Sequence, residues 1–204
     1  MKITDLSALV ASRLCHDLVS PVGAISNGLE IIAEEDDPEI IRQAVDLLNM
    51  SVRQAEYKLT FYRMAFGASA SSGGEIASRD LVKAASDYLG EEKVAFEWPG
   101  DVIPLSRLQT RVLANLILLG RDCLPRGGTL TATVDGQRID VVARGQGCRL
   151  REEMRQVLAD ELVDPLPHMA PAAILKALAG DGEAEVDVRP EGEDIRLIAQ
   201  LISR

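Results

Sequence analysis

Apolar positions recur at intervals of three and four along the first third of the chain. From Asp5 to about Glu34 they fall at Leu6, Leu9, Val10, Leu14, Leu18, Val22, Ile25, Leu29 and Ile32, which is the period of an α-helix. A helix of about thirty residues is about 45 Å long. Glu34 to Asp37 then gives a short turn, and Asp37-Pro38-Glu39 is a strong start signal for a second helix, with the aspartate as cap and the proline at the first position. That helix repeats the pattern at Ile41, Ala44, Leu48, Val52, Ala55, Leu59 and Tyr62 and ends near Gly67. Two long helices joined by so short a turn lie antiparallel. Such a hairpin cannot cover its own apolar stripe on both sides, so a second copy is expected to complete a dimeric four-helix bundle. The alternative is that the rest of the chain covers the stripe.

GASASSGG, residues 67–74, reads as a flexible linker and divides the chain into units of residues 1–67 and 68–204. Beyond it the periodicity alternates between helix and strand. Helices are predicted over Ser78–Leu89 with Ser78 as cap, Leu105–Cys123, Leu150–Leu162 and Pro171–Leu178. Strands are predicted at Val94–Trp98, at Thr129–Val134 and Arg138–Ala143 around the turn pair Asp135-Gly136, and at Glu185–Arg189 and Ile195–Ile202 around Glu191-Gly192. The fold class is therefore α+β, with an all-helical first third.

Composition narrows the function. Lys and Arg number 22 against 32 Asp and Glu, for a net charge of -10, which argues against a nucleic-acid partner whose affinity would come from neutralising phosphates. Cys15, Cys123 and Cys148 are odd in number and form no C-x-x-C pair, which argues against zinc and for a reducing, cytoplasmic setting. The longest apolar stretch, Leu113–Leu119, is interrupted by Asn115, so no membrane span is expected.

One of only two histidines, His16, stands in SRLCHDLVSPVGAISNGLE, residues 12–30. Helical geometry turns it nearly opposite Leu14, Leu18 and Val22, toward solvent. Ser12, Arg13, Ser20, Gly23 and Asn27 share its face, a short and nearly uncharged surface that admits a bulky partner. Pro21 removes a donor to the carbonyl of Asp17 and should bend the helix, and Gly23 and Gly28 each weaken it by about 1 kcal/mol relative to Ala. No His, Cys or carboxylate lies three or four residues from His16, so a metal site is not supported. Asp17 is adjacent in sequence and about 100° away, which disfavours a serine-histidine-acid triad. A nucleophilic imidazole accepting a phosphoryl group remains, with Asp17 orienting the ring or taking its second proton. The alternative is an incidental surface histidine beside an Arg13–Asp17 ion pair.

H-D-L-V-S-P, His16 to Pro21, resembles the H-box of sensor histidine kinases, and the hairpin resembles their dimerisation and phosphotransfer domain. RVLANLILLGRDCLPRGGTLTATV, residues 111–134, and VVARGQGC, residues 141–148, stand where those kinases carry the N-box and the D-x-G-x-G loop of an ATP-binding α/β sandwich. Two positions depart from the pattern. Leu119 replaces the asparagine that holds magnesium, and Ala143 replaces the aspartate that reads adenine. Neither side chain can perform the lost task, and no glycine-rich lid is recognisable in residues 165–178. A phospho-accepting hairpin with a degenerate kinase domain resembles the ChpT-type histidine phosphotransferases.

That resemblance implies a cytoplasmic homodimer in a phosphorelay. It would move phosphate from the receiver domain of a hybrid histidine kinase, through His16, to response regulators that control the cell cycle, with no autophosphorylation from ATP. Asp17 and Arg13 would assist His16, and the receiver would dock over Ser12, Ser20, Pro21, Gly23 and Asn27. The chain would bind no cofactor and no metal, magnesium being supplied by the receiver. Arg149 and Arg151, with Arg155 nearby, occupy the place of the lost lid and suit an acidic partner; the alternative is a solvated helix face paired with Glu152 and Glu153. His168, in PLPHMAP, is expected in a loop. Two competing readings are a non-catalytic dimeric scaffold for response regulators and an ATP-dependent kinase.

Overall fold

The computed structural model describes residues 3–67, 75–159, 161 and 166–202, with side chains from residue 5 onward. Two long antiparallel helices come first, α1 (Ile3–Glu34) and α2 (Pro38–Phe66). Asp37 caps α2 as its sequence predicts, accepting from the Glu39 N–H at 2.8 Å, with Pro38 at the first position. α1 runs without a break through Pro21. Gly28 is buried, and a Cβ there would meet Leu48 at 2.9 Å, so this glycine lets α2 approach closely. At Gly23 a Cβ would meet nothing within 4 Å.

Beyond the hairpin, the described residues form a five-stranded mixed sheet packed against helices and a small two-stranded sheet. In chain order the elements are β1 (Ile76–Ala77), α3 (Ser78–Gly90), β2 (Val94–Glu97), β3 (Pro104–Leu105), α4 (Arg107–Asp122), β4 (Gly128–Asp135), β5 (Arg138–Arg144), α5 (Glu152–Leu158), a 3-10 turn (Pro167–Met169), α6 (Ala170–Gly180), β6 (Ala184–Glu191) and β7 (Asp194–Leu201). The sheet order is β2-β4-β5-β7-β6, with β2 parallel to β4 and the remaining pairs antiparallel. Every residue from Val112 to Gly120 is buried, because α4 lies between the sheet and the helices α2, α3 and α6. The fold is α+β, as expected.

Several boundaries differ from expectation. Ser78 does not cap α3; Ala77 holds the cap position. The Ser78 hydroxyl instead accepts from the Ile103 N–H at 3.0 Å, tying the helix start to the strand that follows. Leu105 belongs to β3, paired with β1, and α4 starts after Ser106, whose side chain forms a reciprocal capping box with Gln109. Two-residue strands have too little pattern to be read from sequence. α5 is shorter than expected, and residues 160 and 162 of its predicted span lie outside the described residues, as do residues 68–74 of the predicted linker.

The base of the hairpin shares the core of the sheet unit. Leu9, Phe61, Tyr62 and Ala65 are buried in it, and Phe61 stacks on Tyr88 with ring centroids 5.0 Å apart. Asn115 of α4 donates to the carbonyl of Ala65 at 2.7 Å and to that of Arg111 at 2.8 Å. Farther out, the sheet unit leaves the hairpin uncovered: Val19, Val22, Leu29, Met50 and Leu59 are each at least half exposed. By length and hydropathy (mean 1.2), Asp5–Glu34 would suffice to cross a membrane, where the sequence reading expects no span. One face of this helix is occupied by α2 and carries a buried charged pair.

Candidate functional site

His16 is exposed as its sequence predicts, with three quarters of its side chain in solvent. Ser12, Ser20 and Asn27 are exposed around it, and Gly23 opens onto free space. Two expected members of this surface are not on it. Pro21 is buried. Arg13 is 6% exposed and points inward, so it cannot meet a phosphoryl group arriving at His16. The inner line of α1 is Leu9, Arg13, Pro21 and Gly28, not Leu14, Leu18 and Val22; Leu14 and Leu18 flank it and Val22 faces solvent. Hydrophobicity cannot reveal a packing line that holds an arginine, a proline and a glycine.

Asp17 is the centre of the arrangement. Its Oδ1 lies 2.8 Å from His16 Nδ1, within reach to orient the ring as the sequence suggests. Its Oδ2 accepts from Arg13 Nε at 2.5 Å and from the Tyr62 hydroxyl. Burial alone would push the Asp17 carboxyl up. The charge of Arg13 and the hydrogen bonds from Tyr62, His16 and Arg13 outweigh it and hold the carboxyl below its usual range. An ionised carboxylate only accepts, so the contact places a proton on His16 Nδ1, and in the neutral ring Nε2 then holds the lone pair that faces solvent or a visitor.

Backbone chemistry supports the same residue. Pro21 has no N–H to give to the carbonyl of Asp17, four residues earlier. Lys58 of α2 fills that role, its Nζ donating to the Asp17 carbonyl at 3.1 Å. Beneath, the Arg13 guanidinium donates to the carbonyl of His168 at 3.2 Å and stands 3.9 Å from Asp122. Burial pushes the Asp122 carboxyl up against the pull of Arg13 and Arg121, and Arg121 continues the chain of charges to Glu92. His168 lies in the 3-10 turn at the foot of α1. Sequence reasoning missed Lys58, Tyr62 and Asp122. One signal existed for the first: a proline four residues after Asp17 orphans a carbonyl that some donor must satisfy.

In the sheet unit, Leu119 and Ala143 are fully buried in the apolar core. Their methyl groups do not fit magnesium or an adenine amino group, and among the described residues no cluster of three His, Cys, Asp or Glu side chains is placed to hold a metal.

Relationships to known proteins can now be set against this geometry. The family model described as "Histidine phosphotransferase C-terminal domain" matches residues 78–194. The chain belongs to the histidine phosphotransferase family. This phosphotransferase is 33% identical over 204 residues to "Protein phosphotransferase ChpT" of Brucella abortus (strain 2308), covering 96% of this chain and 95% of that one. A solved structure described as a bacterial phosphotransferase matches it with a TM-score of 0.85 at 30% identity, over 98% of each chain. Moving phosphate through a histidine is thus the activity of the family, and the phosphotransferase displays one imidazole open to solvent.

The basic patch of the phosphotransferase is exposed as well. Arg149 and Arg151 stand at the surface, where the Arg149 N–H donates to the carbonyl of Cys123 at 3.0 Å. They border two adjoining clefts of about 320 and 450 Å³ that share Asp122, Pro125 and Arg151. Arg155 is paired with Glu152 at 2.5 Å and lies 3.8 Å from Glu161, and among the described residues Arg149 makes no ion pair with Glu152 or Glu153.

Proposed function

We propose that His16 is the phospho-acceptor of this histidine phosphotransferase and that its donors and acceptors are receiver domains: that of a hybrid histidine kinase upstream, those of response regulators downstream. The observation that carries this reading is the exposed imidazole whose Nδ1 is bonded to a fixed Asp17 while Nε2 stays open. In the forward step Nε2 attacks phosphorus, the bond from phosphorus to the receiver's aspartyl oxygen breaks, and the carboxylate leaves with the electron pair. The ring then carries positive charge, which Asp17 offsets through Nδ1–H. Transfer to a second receiver reverses these events. Such chemistry depends on positioning and charge neutralisation more than on side-chain acids.

Ser12, Ser20, Gly23 and Asn27 give the receiver room, and Arg149 and Arg151 offer a second contact of opposite charge. Magnesium belongs to the receiver in this reading, and the phosphotransferase brings neither nucleotide nor metal. Residues 1–67 act as the phosphotransfer and dimerisation unit, and residues 68–204 as the docking unit. The exposed apolar line on the hairpin is the seam for a second copy, giving a cytoplasmic homodimer. The decisive experiment presents a receiver domain carrying labelled aspartyl phosphate and maps the label by mass spectrometry under neutral conditions. Acid-labile phosphate on His16, lost in His16→Ala, is expected. Relay between receivers by the His16→Ala protein would overturn the assignment.

A further inference from the structure

Tyr62 sits on α2, 2% exposed, between aromatic neighbours that fix its ring. Phe66 stacks on it at 5.2 Å between centroids, and Tyr88 packs tilted at 5.7 Å. A phenylalanine would fill this place equally well. The hydroxyl is the one polar group the position adds, and it donates to Oδ2 of Asp17. Burial pushes the Tyr62 phenol up, with Tyr88 adding to the shift, so the group remains a donor across the range in which the protein works. Arg13 Nε occupies the same carboxylate oxygen. Two donors on Oδ2 leave Oδ1 alone to face His16 Nδ1.

We propose that Tyr62 is a positioning residue for phosphotransfer: by fixing the rotation of the Asp17 carboxylate from the opposite helix, it holds the His16 imidazole in the tautomer that keeps Nε2 nucleophilic. Arg13 reaches the carboxylate from its own helix, four residues away, whereas Tyr62 approaches from α2. The hydroxyl therefore supplies the cross-hairpin reference against which the carboxylate is oriented. Its loss leaves Arg13 in place but frees the carboxylate to turn about its last bond. Oδ1 then leaves Nδ1, and the proton is free to move to Nε2, where it blocks attack. The inference rests on His16 as the phospho-acceptor.

The test is Tyr62→Phe in the full chain, read in two ways. Nitrogen-15 spectra of the His16 ring, assigned against His16→Ala, report the tautomer without any phosphate. Rapid-quench transfer from a receiver charged with acetyl phosphate reports the rate. The wild type should show the Nδ1–H form. The variant should show a mixture of tautomers and a maximal transfer rate lowered about tenfold, the scale of one lost positioning hydrogen bond, with the receiver concentration for half-maximal rate unchanged. Replacing Tyr62 by 4-aminophenylalanine restores an N–H donor and should recover both readouts; it also serves if Tyr62→Phe fails to fold. A variant that keeps the wild-type tautomer, or one that keeps the wild-type rate, overturns the proposal. Label mapped away from His16 in the wild type would instead sink the phospho-acceptor assignment and leave the tautomer measurement standing.

Discussion

Replacing Arg13 by methionine should destabilise the hairpin base beneath His16, and the cost can be worked from the surroundings. Arg13, Asp17 and Asp122 have side chains 7%, 13% and 7% exposed, so their charges are screened by protein rather than by water. Breaking such a pair by removing one partner costs about 3–5 kcal/mol, because a buried charge is left uncompensated. Asp17 retains Tyr62, and Asp122 retains Arg121 at 3.0 Å, which places the expected loss near about 3 kcal/mol. At about 2–4 °C per kcal/mol for a chain of this size, the melting temperature should fall by about 6–12 °C at neutral pH. The sign of the pH dependence is a sharper test. In the wild type the Asp17 carboxyl is held below its unfolded value of 3.8. Its contribution is thus complete above that value and lost only as pH falls through the lower folded one. Without Arg13 the largest opposing pull is gone, and burial raises the carboxyl. The folded variant then binds protons more readily than its unfolded chain, and its stability should rise as pH falls from 7 toward 4.5. Urea unfolding followed by circular dichroism at both pH values, at one protein concentration, measures this. A deficit below about 1 kcal/mol at pH 7, or one that does not shrink in acid, would refute the reasoning.

Two further outcomes are expected. If the proposed homodimer forms through this seam, the wild type should sediment as a dimer and Val19→Glu with Met50→Glu, at positions 69% and 65% exposed, as a monomer with unchanged circular dichroism; a monomeric wild type or a dimeric variant would remove the seam. Charge reversal at Arg149 and Arg151 should slow transfer from a receiver at least about tenfold, by weakening encounter between opposite charges. Phosphorylation by the small donor phosphoramidate should be unaffected, and an unchanged receiver rate would dismiss the second contact.

The long elements were legible because each repeats its signal many times. Nine apolar positions announce α1, and Asp37-Pro38 marks the start of α2. His16 was legible because a lone imidazole among serines and glycines fits no ordinary packing pattern. What escaped was everything set by the register of one helix against another. Helical spacing puts Arg13 on the face of His16, yet the helix turns it inward, where Asp17, Asp122 and the His168 carbonyl compensate it. Tyr62 and Lys58 reach Asp17 across 45 and 41 residues, a proximity that no local spacing encodes. Ser78 looks like a cap because serine favours such places, whereas a tertiary partner, the Ile103 N–H, claims its hydroxyl.

The bond from Asn115 to the Ala65 carbonyl fastens the last turn of α2 to the deeply buried helix α4. The pose of the hairpin is consequently anchored upstream of the Gly67 junction, through a side-chain amide rather than through chain connectivity. Evolution, or an engineer, is then free to lengthen, shorten or rewrite the segment after Gly67 and still find the imidazole facing the same way.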